Sequence, residues 1–234
     1  EPHNIIEIKS LIEKRDALDV AGRVVNDIRR VFSYAVQVGK IKYSPASEMK
    51  GVVKTRKTKH QASLPYAEIP QFLRDLDDYA NRGRLLTKLA VELLLLTFVR
   101  SGELRQAKWE EFDFAHSVWR IPAERMKMKT EHLVPLSNQA KDVLEKIKLI
   151  TGQYDLVFPS EKRRTQCMSD NTMRKAVFTM GYDGNTPGKT KCVPHGFRSM
   201  ASATLNEAGF KPDAIERQLS HQERNKVRAA YIHS

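Results

Sequence analysis

The sequence predicts a mostly helical protein with a small antiparallel β-sheet, in which a short all-helical region precedes a larger α+β domain. Three observations predict it. Apolar residues recur at helical spacing through most of the 234 residues. Two short stretches, "SVWRIP" at 117–122 and "HLVPLS" at 132–137, read as strands joined by a polar, basic hairpin. Between the two helical regions lies "GVVKTRKTKHQASLP", 51–65, which is basic, lacks acids and shows little apolar periodicity.

The elements follow in order. In the first 50 residues, Val20, Val24, Ile28, Val31, Phe32, Ala35 and Val36 form a helical stripe, Gly39 reads as its stop, and "YSP" at 43–45 as a turn. Residues 51–65 read as an interdomain linker. Beyond it, "PYAEIPQFLRDLDDYAN" and "RLLTKLAVELLLLTFVR" read as helices. Ser137 is placed to N-cap "NQAKDVLEKIKLI", whose Ala140, Val143, Leu144 and Ile147 share a face. "YDLVFPS" reads as a further short strand. "SDNTMRKAVFTMG" reads as a helix ending at Gly181, and "HGFRSMASATLNEAG" as one ending near Gly209. "PDAIERQLS" and "NKVRAAYIH" read as two short terminal helices.

Composition narrows the function. Forty Lys and Arg against 28 Asp and Glu leave a formal charge of +12, which favours a polyanionic partner but says nothing about fold. The longest apolar run, "LAVELLLLTF" at 89–98, falls short of a membrane span and is interrupted by Glu92, so a buried helix is expected and no membrane partner. Two distant cysteines, Cys167 and Cys192, have no metal-ligand spacing and point to a reducing compartment. There is no secretory signal pattern, and a start at Glu1 rather than Met suggests part of a longer protein.

The candidate residues are weak one at a time. Arg100 directly follows an apolar helix, where it is either the first solvated residue of a loop or a cation at the mouth of a core; Glu103 stands where it could orient the guanidinium. His195 and Arg198 share a helical face near a helix N-terminus that favours an anion, yet His-x-x-Arg arises often by chance. Lys127 and Lys129 lie in the hairpin, where lysines are usually only solvated. His132 reads as structural. Tyr231, at i+4 from Val227, reads by itself as core packing, and His221 ends the helix before it.

In order, however, "LLTFVRSGELRQAKWEEFDF", "IPAERMKMKTEHLVPLS", "HGFRSMASATLNEAGF", "AIERQLSH" and "RNKVRAAY" resemble successive blocks of the tyrosine recombinases, most closely the integrases of P4-like phages and genomic islands. The resemblance runs from about residue 20 to the end. It implies a catalytic set of Arg100, Lys127, His195, Arg198, His221 and Tyr231, with Glu103 supporting the first arginine. Lys127 is preferred to Lys129 for its distance from "HLVPLS". Where many members have Thr-Gly-x-Arg, this chain has Thr97-Phe98-Val99-Arg100. The resemblance also implies the domain plan: part of an all-helical core-binding domain at 1–50, a basic linker at 51–65, and a tyrosine-recombinase catalytic domain at 66–234 with its C-terminal tail truncated.

The implied reaction is attack of a tyrosine oxygen on a DNA phosphodiester, giving a 3′-phosphotyrosine and a free 5′-hydroxyl; a second 5′-hydroxyl reverses it on a new strand, integrating or excising a prophage or genomic island. The covalent link conserves the bond energy, so no nucleotide cofactor is expected, and the resemblance implies no metal requirement. A phenol of pKa ~10 is ionised in roughly one molecule per thousand at neutral pH, so it needs a base, for which His195 is the candidate. Arg100 and Arg198 offer planar forks to the non-bridging oxygens, His221 adds a hydrogen bond, and Lys127 suits protonation of the leaving oxygen.

The expected partner is double-stranded attachment-site DNA in the bacterial cytoplasm and nucleoid. Lys54, Arg56, Lys57 and Lys59 of the linker, with Lys129, would make sequence-blind phosphate contacts. The family resemblance implies a tetramer on DNA for the full-length protein, with accessory DNA-bending or excision factors, and a monomer or poor cleavage for a shortened chain. Two alternatives stand beside this reading: DNA relaxation of the type IB topoisomerase kind, and a DNA-binding regulator without catalysis. A metal-dependent nuclease lacks clustered carboxylates.

Overall fold

The computed structural model describes residues 1–49, 51–52 and 62–220. The chain divides into two compact units, Glu1–His60 and Gln61–Ser234. Lys54, Arg56, Lys57, Lys59, His221 and Tyr231, with the terminal helix expected at 225–233, lie outside the described residues.

The first unit is built on α1 (Pro2–Glu13) and α2 (Leu18–Gln37). Pro2 opens α1, where its fixed φ suits a helix start and its missing N–H costs nothing. Gly39, at φ 71°, follows the end of α2, as its sequence position suggested. Ile5, Val25, Ala46 and Met49 form the core, with Ile28, Phe32 and Val52 against it. The expected α2 stripe needs correction. Val20 and Val31 are 40% and 65% exposed, whereas Ala21 and Val25 are buried. Packing against α1 covers only one narrow line of α2, and its apolar residues extend over a wider arc than that.

The second unit centres on α4 (Leu85–Thr97), which packs against α3 (Ile69–Arg82), α6 (Asn138–Thr151) and α7 (Asn171–Thr179). Leu89, Ala90, Val91, Leu93 and Leu94 are almost wholly inaccessible. Glu92 is tolerated in this apolar helix because Lys88, one turn earlier, reaches it at 2.6 Å while also meeting Asp77 at 3.1 Å. Ser137 caps α6 as its position suggests, its hydroxyl accepting from the Ala140 N–H at 3.2 Å.

A three-stranded antiparallel sheet, in the order β1 (Phe112–Asp113), β2 (Val118–Ile121) and β3 (His132–Pro135), stands beside the helices. Trp119 faces Val134 and Ile121 faces His132. The mostly helical architecture with a small antiparallel sheet is therefore the one the sequence predicts. "YDLVFPS" is not a strand: Lys108 bridges Leu156 and Pro159 bridges Cys167 only as isolated pairs. Val157 and Phe158 instead plug the core, and the Val157 carbonyl is taken by the Thr151 hydroxyl at 2.9 Å, leaving no continuous ladder.

Two helices follow among the described residues, α8 (Gly196–Glu207) and α9 (Pro212–Gln218). Phe197 anchors α8, its ring 5.5 Å from that of Phe72, which in turn lies 4.9 Å from Tyr182. Gly196 is required by a close approach: a Cβ there would lie 2.0 Å from the Ala62 carbonyl oxygen. Residues 62–64, within the stretch read as linker, thus lie on this unit, with Leu64 in its core.

Candidate active site

Four loops and helix ends meet where α4 stops. Phe98, the residue after α4, adopts a left-handed conformation at φ 54°, which turns the chain sharply into Val99 and Arg100. Val99 is buried and holds that turn to the core, while Arg100 opens the short helix α5 (Ser101–Arg105). Glu103 accepts twice from Arg100: from its backbone N–H at 2.8 Å and from its guanidinium Nη1 at 2.7 Å. With Glu103 only 5% exposed, that pairing keeps a carboxylate from being stranded in the interior.

Arg198, on the first turn of α8 and 6% exposed, comes to the same place. Its Nη1 donates to the Phe98 carbonyl at 2.6 Å and its Nη2 to the Leu219 carbonyl. Arg100 Nη2 reaches the Ser220 carbonyl at 3.5 Å, and the Gln218 side chain donates to the Thr97 carbonyl at 2.8 Å. The carbonyl end of α9 is thus turned onto both guanidinium groups. Burial, followed by repulsion from Arg100, pushes the pKa of Arg198 down to about 10. Arg198 still remains a cation at neutral pH, and the two guanidinium groups, held by protein carbonyls, lie where an anion would relieve their repulsion.

A cleft of about 540 Å³ opens beside Arg100, lined by Arg100, Glu103, Arg125, Lys127, Lys129 and His195 among others. His195 stands exposed at the N-cap of α8. Lys127 and Lys129 come from the β2–β3 connection; Lys129 adopts φ 55° and donates to the Glu124 carbonyl of its own loop at 3.3 Å. Of the sequence-selected residues, the structure therefore gathers Arg100, Glu103, Lys127, Lys129 and His195 at one cleft, and Arg198 lies close enough to Arg100 to repel it.

Two residues at this site escaped the sequence reading as functional. Arg125 ties the base of the lysine loop down, bonding the Glu103 backbone carbonyl at 3.1 Å and the Glu111 carboxylate at 3.1 Å. Glu111 also accepts from the Trp119 indole at 2.9 Å, and burial raises its pKa more than these partners lower it. The second is His132, 6% exposed at the start of β3. Burial lowers its pKa first, Arg198 and Arg100 push the same way, and Glu103 and a hydrogen bond to the Gln218 backbone carbonyl only partly offset them. The period-two alternation of β3, with His132 and Val134 inward and Leu133 and Pro135 outward, was the signal available for it. Among the described residues no group of three or more His, Cys, Asp or Glu side chains is arranged to hold a metal ion.

With this geometry in place, comparison with known proteins is informative. The model of the phage integrase family matches residues 63–234. The integrase of Enterobacteria phage P4 is 49% identical over 239 residues, a match covering 95% of this chain and 53% of that protein. The chain spans between 53% and 62% of the length of the first curated relatives it matches. Among solved structures, a lambda integrase dimer bound to a COC′ core site superposes with a TM-score of 0.74 at 18% identity, covering 99% of this chain and 63% of that one. A lambda integrase tetramer bound to a Holliday junction gives 0.74 at 17% identity, covering 97% and 65%.

Proposed function

This chain belongs to the phage integrase family, and on that premise we propose that it is the strand-cleaving and rejoining part of a site-specific tyrosine recombinase. The single observation that carries the reading is the joint capture of Arg100 and Arg198 by the carbonyl end of α9, directly before His221 in the chain. Two fixed guanidinium forks from separate helices match the needs of a phosphodiester: planar, bidentate donors to oxygens that gain charge as the phosphorus becomes five-coordinate.

In the proposed reaction, the Tyr231 oxygen forms a bond to phosphorus while the bond to the 5′-oxygen breaks. His195, at the mouth of the cleft, takes the phenolic proton. Lys127 gives a proton to the departing 5′-oxygen; Lys129 is the weaker candidate because its ammonium is turned to the Glu124 carbonyl. Arg100, Arg198 and His221 hold the non-bridging oxygens, and Glu103 holds Arg100. A 5′-hydroxyl from a second strand then displaces the tyrosine by the reverse steps. Two arginines and a lysine carry the electrostatic load, so neither metal nor nucleotide is required.

The unit Gln61–Ser234 is, in this reading, the catalytic domain, and Glu1–His60 contains part of a core-binding domain. Lys54, Arg56, Lys57 and Lys59, near the end of the first unit, contact the phosphate backbone, which makes binding steeply salt-dependent. The partner is an attachment-site duplex, on which copies assemble as a multimer to exchange strands between two sites. No helix among the described residues is long and apolar enough to cross a membrane, in keeping with action on chromosomal DNA.

The test is a nicked attachment-site duplex that loses its short 5′-hydroxyl product after cleavage. The wild-type chain is expected to become covalently joined to it in the presence of EDTA. Tyr231→Phe is expected to bind the duplex and form no adduct. An adduct formed at wild-type rate by Tyr231→Phe, or cleavage restored only by added metal, would refute the reading.

A further inference from the structure

We propose that Arg125 is a positioning residue of the strand-transfer site: its guanidinium fixes Lys127, the proton donor to the leaving 5′-oxygen, at a set place relative to Arg100. This rests on the function proposed above. The observation behind it is a buried ion pair that no step of the reaction uses. Arg125 and Glu111 meet at 3.1 Å, their side chains only 15% and 5% exposed. Taking two charges out of water offsets most of their attraction, so such a pair is a weak source of stability. Arg125 is also poorly satisfied, because its Nε and Nη1 are buried without hydrogen-bond partners. All of its side-chain bonding runs through one atom, Nη2.

That atom joins three segments. It donates to the Glu103 backbone carbonyl at 3.1 Å, and the Glu103 carboxylate holds the Arg100 guanidinium at 2.7 Å. It donates as well to Glu111 Oε2, which accepts at 2.9 Å from the indole of Trp119, a wholly buried residue of β2. Arg125 is thus tied at once to the segment that carries Arg100 and to the buried face of the sheet. Lys127 lies two residues further on. Between them Met126 is buried, its N–H donating to the Ala123 carbonyl at 3.1 Å and its carbonyl accepting from the Lys129 N–H at 3.1 Å. Residues 127–130 are exposed, so Lys127 is the first exposed residue after a pinned base, on the cleft that Arg100 also lines. Proton delivery to the bridging oxygen and charge stabilisation on the non-bridging oxygens act on the same phosphate. The span from Lys127 to Arg100 therefore has to be held, and Arg125 bridges it.

Removing Arg125 alone would strand the Glu111 carboxylate in the interior. The test therefore pairs Arg125→Met with Glu111→Gln, which leaves no unpaired charge and keeps an oxygen for Trp119. The paired variant should melt within about 4 °C of wild type. Its single-turnover adduct formation on the nicked duplex should slow by roughly 10–100-fold, as small misplacements of catalytic groups do. Replacing the leaving 5′-oxygen of the duplex by sulfur should remove most of that loss, because a thiolate departs without a proton; the variant should then lie within about threefold of wild type. Arg125→Lys, whose single nitrogen can serve both acceptors, should keep most of the rate on the ordinary duplex. A further readout needs no cleavage: amide hydrogen exchange at Met126 and Lys129 should quicken by roughly tenfold in the paired variant and stay as in wild type in Arg125→Lys. The proposal is overturned if the paired variant cleaves the ordinary duplex at the wild-type rate, or if sulfur brings no relief. It is equally overturned if Arg125→Lys is as slow as the paired variant, if the exchange is unmoved, or if the paired variant melts far earlier, which would make the pair a device of the fold. A wild-type chain that forms no adduct on either duplex would sink the proposed function instead, while the exchange rates would still decide whether Arg125 pins the loop.

Discussion

Arg198 donates its Nη1 hydrogen to the backbone carbonyl of Phe98 at 2.6 Å, joining the first turn of α8 to the left-handed residue that ends α4. The bond explains how a helix that ends in the core can deliver one arginine to the surface and receive another from far along the chain. Phe98 stands where many relatives are expected to carry glycine, and its φ of 54° is the conformation glycine adopts most freely. Its partly buried ring, packed against the core, offsets the strain of a side chain in that conformation.

The two arginines should not tolerate lysine. A lysine at 198 has one ammonium and cannot serve the Phe98 and Leu219 carbonyls while leaving a planar fork for phosphate. Arg198→Lys is expected to lower single-turnover cleavage by about 10²–10³-fold, the usual effect of losing one fixed donor, with a much smaller effect on duplex affinity. Rapid-quench assays beside binding titrations check it; equal losses in both would assign Arg198 to binding alone.

Gly196→Ala should damage both fold and site. The new Cβ would meet the Ala62 carbonyl oxygen at 2.0 Å and its carbon at 2.8 Å, so backbone must move. A destabilisation of about 1–3 kcal/mol is expected, and His195, the preceding residue, should be displaced with a further loss of cleavage. Denaturant titration and adduct kinetics test the two effects. A variant of wild-type stability would mean that residues 62 and 63 yield easily.

Much of this was legible because it is local. Ser137 capping α6, the glycines at 181 and 209, and the Arg100–Glu103 pair all depend on neighbours within four residues, which spacing reveals. "YDLVFPS" misled because a short apolar run has the same composition as a strand and as a core plug; its ladder partners lie in other segments. The α2 stripe misled because periodicity shows which residues are apolar, not how many a neighbouring helix covers. No spacing connects Arg198 to Phe98 and Leu219, since backbone carbonyls carry no residue signature. His132 was within reach through the alternation of β3, but its charged neighbours come from three other elements.

Asp75 gives a pH signature for the second unit. Its Oδ2 accepts from the Tyr182 hydroxyl at 2.8 Å and from Lys189 at 2.7 Å, and its Oδ1 from Gln71 at 2.9 Å. Burial pushes its pKa up, but these hydrogen bonds prevail and hold it below the ordinary value. A carboxylate lowered in the fold contributes stability above its unfolded pKa, ~3.9, and loses it as pH falls through the lower folded value. Asp75→Asn should therefore melt earlier than wild type at neutral pH, and the gap should close below about pH 4. A gap that stays constant in acid would mean that the charge contributes nothing.

The most direct test of the central claim is the identity of the residue joined to DNA. The wild-type chain, trapped on a nicked attachment-site duplex, is digested with protease and nuclease, and the modified peptide is sequenced by mass spectrometry. The account predicts a nucleotide attached through its 3′-phosphate to Tyr231, in a peptide that Arg198→Lys yields far more slowly. An adduct on any other residue, or strand cleavage with no covalent adduct, would contradict it.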